Sequence, residues 1–471
     1  MEQLNPLDAQ FIDAEDEDTQ TSFAIASIAV FEGPAPSYAE FMRAVKGRLP
    51  LVPLYRRKLR TVPLRLGPPV WVEDPHFDIG YHIRQTALPA PGGDEQLSKL
   101  MARVMSQRLD RDYPLWEYWL VEGLAQDRWA LISKVHHCMV DGISGTDLYR
   151  VIFDASPDPA PAVADGRRPV AAEPSAVSLA AQAGLDMLLR PAREALALTA
   201  VLARPGEAVR QASQTARAVA RLAESAWPAA GSSLSGPIGR QRRYTWARAS
   251  LDDVKTIKRQ LGGTVNDVVL AAISSGFRSL LLARGESPGP HTIPSLVPVS
   301  VRAPGEESIY ENRVSVLIAN LPVHLAEPVA RLAAVRAELS ALKATREAAV
   351  GEALVSLGRF TPYPLASLLV RLAYRLPQRE IVTVTTNVPG PRQPLYGMGR
   401  RLVEIIPYVP IATTLRTGVS IFTYCDNVTF GLTGDYGTTS DLQVLARGIE
   451  NGVLELLEAA RPGVRSVAGS R

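Results

Sequence analysis

The sequence predicts an α/β (α+β) protein of two domains joined by a helical linker, and three observations carry that prediction. At 471 residues the chain exceeds what one hydrophobic core serves. Strand-like and helix-like periodicities alternate in both halves, which argues for layered sheets and helices rather than a helical bundle. Between the halves the composition changes. Residues 157–174 are rich in Pro, Ala and Asp, and residues 175–226 are rich in Ala and Leu, as a connector should be. The resulting divisions are 1–156, 157–243 and 244–471.

The elements follow in chain order. Asn5-Pro6-Leu7-Asp8 is turn or cap chemistry before a short helix. Residues 22–31 read as a strand closed by Gly33-Pro34, and residues 37–49 have helical spacing with Phe41, Val45 and Leu49 on one face. Arg56-Arg57-Lys58 and residues 71–75 fall in loops and short strands, and residues 94–108 form a second amphipathic helix. Pro114-Leu115-Trp116 leads into a strand at 117–122, the expected hairpin partner of a strand at 129–135 that ends at His136-His137. Asp141-Gly142-Ile143-Ser144-Gly145 reads as a turn before a helix that begins near Thr146. The linker is helical over 175–226, broken around Pro191 and Pro205-Gly206, and ends in a loop at 231–239. Beyond it come a helix at 251–261 and a second that Thr264-Val265-Asn266-Asp267 caps and that runs through Leu282. Strands are expected at 294–302, 314–321, 381–387, 417–424 and 428–436. A turn is expected at Asn387-Val388-Pro389-Gly390-Pro391, and a closing helix at 440–457.

Bulk properties narrow the function. An apolar fraction of 46% and a charged fraction of 21% describe an ordinary folded soluble protein. A net charge of +3 implies no nucleic-acid footprint. No run approaches the roughly 18–20 uncharged apolar residues of a membrane span, and Met1-Glu2-Gln3-Leu4-Asn5 lacks the pattern of a secretory signal. Cys138 and Cys425 are the only cysteines, which excludes a disulfide framework and favours a reducing compartment. The expectation is a cytoplasmic protein, with peripheral membrane contact open.

Val135-His136-His137-Cys138-Met139-Val140-Asp141-Gly142 is the stretch that carries chemistry. An imidazole at the end of a buried strand suits general-base work near neutral pH. Asp141 follows His137 with three residues between, so it is available to touch the ring or to orient the loop through an ion pair. Gly142 lets the chain turn. Cys138 invites a nucleophile reading, but strand alternation turns it away from His137 and it reads as packing. His76, His82, His291 and His324 bring no metal-ligand spacing, so no metal site is expected. Phosphate loops, dinucleotide fingerprints and a Gly-x-Ser-x-Gly elbow are absent from the sequence.

His136-His137-Cys138-Met139-Val140-Asp141-Gly142 resembles the His-His-x-x-x-Asp-Gly motif of CoA-dependent acyltransferases and peptide-synthetase condensation domains. Pro6-Leu7-Asp8, Pro114-Leu115-Trp116, Asn266-Asp267 and Asn387-Val388-Pro389-Gly390-Pro391 follow in the order seen in the bacterial wax ester synthase/diacylglycerol acyltransferase family. Each motif is weak alone; five in order are strong. Ser22-Phe23 replaces a Met-His pair common in that family, a variant similar to the mycobacterial triacylglycerol synthases, and Glu311-Asn312 replaces a Gly-Asn.

The resemblance implies two chloramphenicol-acetyltransferase-like domains with the active site in a tunnel between them. It implies long-chain acyl-CoA as co-substrate, no further cofactor, and diacylglycerol or a fatty alcohol as acceptor. His137 takes the general-base role, with His136, Asp141 and Gly142 setting geometry. Arg302 is the candidate partner of Asp141, with an ordinary surface arginine the other reading. Asn266 is expected to bond substrate or oxyanion, or else to cap its helix. Glu15 is expected to position a loop near the tunnel, and Asn387 to shape a turn at the crevice. Trp116 is a substrate contact or strand-end packing. The linker and its exit carry Arg190, Arg193, Arg204, Arg210, Arg217, Arg221, Arg240, Arg242, Arg243 and Arg248. These either meet an anionic membrane or lipid-droplet surface or simply face water. Triacylglycerol synthesis is the favoured activity. A wax ester synthase, a non-catalytic lipid-droplet protein and a carrier-dependent condensation enzyme are the alternatives.

Overall fold

The computed structural model describes residues 2–140, 152–158, 173–186, 232–300, 314–344 and 381–461. Asp141, Gly142, Arg302, the helix expected near Thr146 and the linker arginines from Arg190 to Arg221 lie outside the described residues. The first half runs β1 (Glu2–Gln3), α1 (Pro6–Glu17), β2 (Ala24–Glu32), α2 (Tyr38–Arg48), β3 (Arg57–Arg60) and β4 (Val70–Glu73). It continues α3 (Ile79–His82), β5 (Ile83–Ala87), α4 (Asp94–Met105), β6 (Trp116–Leu124) and β7 (Arg128–His136). The second runs β8 (Arg242–Ser250), α5 (Leu251–Leu261), α6 (Val265–Ala283), β9 (Pro294–Ser300), β10 (Val314–Asn320) and α7 (Pro328–Ala344). After it come β11 (Thr383–Pro389), β12 (Tyr396–Gly397), β13 (Arg400–Tyr408), β14 (Thr417–Tyr424), β15 (Asn427–Asp435) and α8 (Leu442–Ala460).

Two six-stranded sheets organise these elements. One has the order β12-β13-β2-β7-β6-β5 and the other β10-β9-β11-β14-β15-β8, while β1, β4 and β3 form a small third sheet. β7 pairs antiparallel with β2 on one side and β6 on the other, with Ala24 opposite His136. Successive side chains of a strand point to opposite faces. On β7, Trp129, Leu131 and Val135 enter a core with Phe31, Leu115 and Trp116. Ala130 and Ile132 pack on the other face with Leu97, Met101, Val104 and Met105 of α4. His136 therefore belongs to the α4 side. Lys134 shares that side, and its ammonium donates to the carbonyls of Val104 (3.0 Å) and Gln107 (2.5 Å) at the end of α4.

The second half differs from the expectation in several places, the helix α7 and the short strand β12 among them. β13 was not expected, and although it follows the linker it joins the first sheet, pairing Ile405 with Ala29 and Ile406 with Ile28 of β2. Pro407 in the run argues against an interior strand. β12 covers only Arg400 and Arg401, so Pro407 lies where that side of β13 has no ladder to lose. The segment Asn387–Pro389 is not a turn: β11 continues through it in parallel register with β14, Asn387 beside Ile421 and Pro389 beside Thr423. At Gly390 a Cβ would lie 2.0 Å from the Thr423 carbonyl oxygen, which explains the glycine. Arg242, Arg243 and Arg248 lie on β8, another strand not expected, and are not part of a surface helix.

α6 is the one described helix long and apolar enough to cross a membrane, and 72% of its apolar window is buried inside the protein. It is a core helix, packed with α5, α7 and α8. The two large sheets meet where β13 crosses β14 and β15. The Pro407 carbonyl accepts hydrogen bonds from Tyr244 Oη (2.6 Å) and Ser420 Oγ (3.0 Å). Gly431 makes this approach possible, since a Cβ there would stand 1.7 Å from the Pro407 oxygen. Beside it, Arg248 of β8 grips Glu404 of β13 with two bonds of 2.7 and 2.9 Å.

Candidate active site

β7 stops at His136, and His137, Cys138 and Met139 form a single 3-10 turn. The His137 N–H donates to the Phe23 carbonyl (3.0 Å), and the His136 N–H to the Leu115 carbonyl (2.9 Å), so backbone on both sides pins the pair. α1 lies against this turn. Asp8, Phe11 and Glu15 are spaced by three and four residues and so share one face of the helix. The Phe11 ring stands 4.4 Å from the His137 ring at 41° and 5.0 Å from Phe23. Phe23 and Ala14 are buried in turn against Ala412, which follows β13.

Glu15 is the charged centre of the arrangement. It is 3% exposed, and its Oε1 accepts from the Phe23 N–H (2.6 Å) and from His136 Nε2 (3.2 Å). Its Oε2 accepts from Arg108 (3.0 Å) and Arg111 (3.1 Å). Burial alone would raise its pKa. The His136 hydrogen bond, the Phe23 amide and Arg108 outweigh burial and hold the carboxyl far below the usual range. Glu15 was expected to position a loop; instead it holds the first histidine directly. The Cys138 N–H donates to His136 Nδ1 (3.2 Å), which leaves the imidazole proton on Nε2, facing Glu15. His136 is thus oriented from both ends.

Cys138 is not turned away by strand alternation, because the strand has already ended. Its Sγ sits 2.9 Å from His136 Nδ1. Burial and then the charges of Asp8 and Glu15 push its thiol pKa well up, so it is no thiolate nucleophile.

The other sequence candidates divide. Asn266 and Asn387 meet: Asn387 Nδ2 donates to Asn266 Oδ1 at 3.2 Å across 121 residues. Asn266 does not cap α6. Thr264 and Asp267 do so reciprocally, at 3.2 and 2.7 Å, which frees the Asn266 side chain for its partner. Trp116 packs at the strand end. It is fully buried, stacked on His82 (4.4 Å) and Tyr55 (4.6 Å), and its indole N–H donates to the Tyr55 carbonyl (2.8 Å). Its own carbonyl accepts from His82 Nδ1 (2.8 Å), and burial lowers the pKa of that histidine. Sequence reasoning missed Phe11, Arg108 and Arg111. The i, i+3 spacing of the two arginines beyond α4 and the acidic i, i+7 face of α1 were the available signals.

Residues 4–269 match the model of the wax ester synthase/diacylglycerol acyltransferase catalytic domain, and residues 310–457 match the C-terminal domain of the same proteins. The chain belongs to this family. It is an acyl-CoA-dependent acyltransferase of the wax ester synthase/diacylglycerol acyltransferase kind. The probable diacylglycerol O-acyltransferase tgs1 of Mycobacterium tuberculosis H37Rv is 41% identical over 98% of this chain and 97% of that protein. A putative diacylglycerol O-acyltransferase of the same strain is 34% identical over 97% of this chain and 91% of its own. The solved wax ester synthase/diacylglycerol acyltransferase of Marinobacter aquaeolei VT8 superposes with a TM-score of 0.68 at 27% identity, covering 97% of this chain and 99% of that one. The first condensation domain of the CDA synthetase shares the fold alone, with a TM-score of 0.55 at 17% identity over 97% and 96% of the two chains. The architecture is thus the two-subdomain, chloramphenicol-acetyltransferase-like fold that the motifs implied.

Proposed function

We propose that this acyltransferase moves a long-chain acyl group from acyl-CoA to the free hydroxyl of diacylglycerol, giving triacylglycerol and CoA. The observation that carries the acceptor is the 41% identity, over 98% of the chain, to a probable diacylglycerol O-acyltransferase. The site supports the chemistry. His137 stands at the end of a buried strand, and its neighbour is locked by Glu15. In this reading the His137 imidazole removes the acceptor hydroxyl proton as the oxygen attacks the thioester carbonyl. The tetrahedral oxyanion then collapses and breaks the C–S bond, and the departing thiolate takes the proton back from the imidazolium. Asn266, held by Asn387, is the proposed donor to substrate or oxyanion, and Asp141 with Arg302 is the proposed brace of the loop. An acceptor that does not dissolve in water brings with it peripheral association with a membrane or lipid-droplet surface.

The wax ester synthase named in the family model favours a second reading, with a long-chain alcohol as acceptor. Radiolabelled palmitoyl-CoA offered with diacylglycerol and hexadecanol in competition decides between them. Labelled triacylglycerol as the main product is the expected result; predominant wax ester would replace the first reading by the second. Transfer to neither acceptor would remove both.

A further inference from the structure

Between α4, the lead-in to β8 and the start of α8 lies an open cleft of about 860 Å³. Six cationic side chains line it (Lys99, Arg103, Arg108, Arg240, Arg242 and Arg243), and no carboxylate does. In a chain whose net charge is only +3, that concentration of one sign calls for an anion. No ion pair among the described residues engages Arg103, Arg240 or Arg243. Arg242 is 4% exposed and fixed, donating to the carbonyls of Gly239, Gln241 and Gln20 and to no carboxylate. Arg243 lies over the Tyr436 ring at 4.1 Å, and Tyr436 is 52% exposed at the cleft wall. The cleft thus combines positive charge with an exposed aromatic side chain, the pair of features that phosphate groups and a base require. Its inner wall reaches the histidine pair, since Arg108 donates to the same Glu15 carboxylate that accepts from His136.

We propose that this cleft seats the nucleotide end of the acyl donor, its 3′-phosphate and diphosphate on the arginines and its adenine against Tyr436. The inference rests on the reading of the protein as an acyl-CoA-dependent enzyme. Lipid phosphates share the same chemistry, so the test separates the two sources. Calorimetric binding of CoA and of adenosine 3′,5′-bisphosphate is compared for the wild-type chain, the rim variant Arg103→Gln/Arg240→Gln/Arg243→Gln and a charge-matched control, Lys255→Gln/Lys258→Gln/Arg447→Gln. Arg103 and Arg240 are exposed and Arg243 half-buried, so their replacement leaves the core intact.

The rim variant is expected to bind both nucleotides about tenfold or more weakly, the wild-type affinity to fall with added salt, and the control to match wild type. Unchanged CoA affinity in the rim variant overturns the proposal. So does a rim variant that loses sedimentation with vesicles containing phosphatidylglycerol while keeping its affinity for CoA, because the cleft then serves a membrane. Acyl transfer is assayed on the same preparations. Wild-type transfer with unchanged CoA affinity in the rim variant sinks only the cleft. Absence of wild-type transfer sinks the enzymatic reading, and nucleotide binding still decides the cleft.

Discussion

Glu15 Oε1 and His136 Nε2 stand 3.2 Å apart, joined across 121 residues by laying α1 against the turn that ends β7. The contact distinguishes the two adjacent histidines. His136 is fastened at Nδ1 by the Cys138 N–H and at Nε2 by Glu15, while the half-buried His137 ring lies beside Phe11.

Replacing Glu15 by Gln is predicted to cost about 2 kcal/mol of stability at neutral pH, because Arg108 and Arg111 lose a largely buried countercharge. Thermal melts of the two chains at about pH 7 measure it. A difference indistinguishable from zero would mean the network is ornamental. Acyl transfer should fall too, and a Glu15→Asp chain should recover part of it, since a shortened carboxylate still carries the charge.

The same carboxylate sets an acid limit. Its folded pKa lies below the ordinary value of 4.5, so its contribution is fully present above that pH and is lost as pH falls towards the folded value. The gap in melting temperature between wild type and Glu15→Gln should therefore be constant from neutral pH to about pH 5 and shrink on further acidification. A gap that widens in acid would reverse the sign and refute the assignment.

Gly431→Ala is predicted to destabilise the protein by about 2 kcal/mol or more, since the new methyl must displace the Pro407 carbonyl that joins the two sheets. Denaturant unfolding measures it. A neutral substitution would show that β13 slides freely over β15.

Asn266→Ala and Asn387→Ala should each cost about 1 kcal/mol, and the double variant little more than either, because both remove the same bond. Fully additive losses in a double-mutant cycle would deny the contact. Each single variant should also slow acyl transfer if Asn266 faces substrate.

Much of this was legible in the sequence where local chemistry decides. Ser37 accepts from the Glu40 N–H at the start of α2, and the helix at Leu251–Leu261 follows its Ser250 cap, because capping is written in neighbouring residues. The histidine motif was legible for the same reason. β13 was not, since its partner β2 lies more than 300 residues earlier and Pro407 disguises the strand. Trp116 reads from its motif as strand-end packing or a substrate contact, and the stacking of Tyr55 and His82 shows the packing. The Asn387 segment reads as a turn from its prolines and glycine, and the ladder to β14 keeps it extended. The sequence marks Glu15 only by its motif position, whereas its grip on His136 depends on how α1 docks, which no local pattern encodes.

The central claim is that His137 removes the acceptor proton. Its most direct test is the rate of CoA release from saturating palmitoyl-CoA and diacylglycerol by His137→Ala, with circular dichroism to show that the variant is folded. The account predicts a fall in kcat of about 10²–10⁴-fold or more, with binding of CoA retained. A folded variant working within a few-fold of wild type would place the base elsewhere and contradict it.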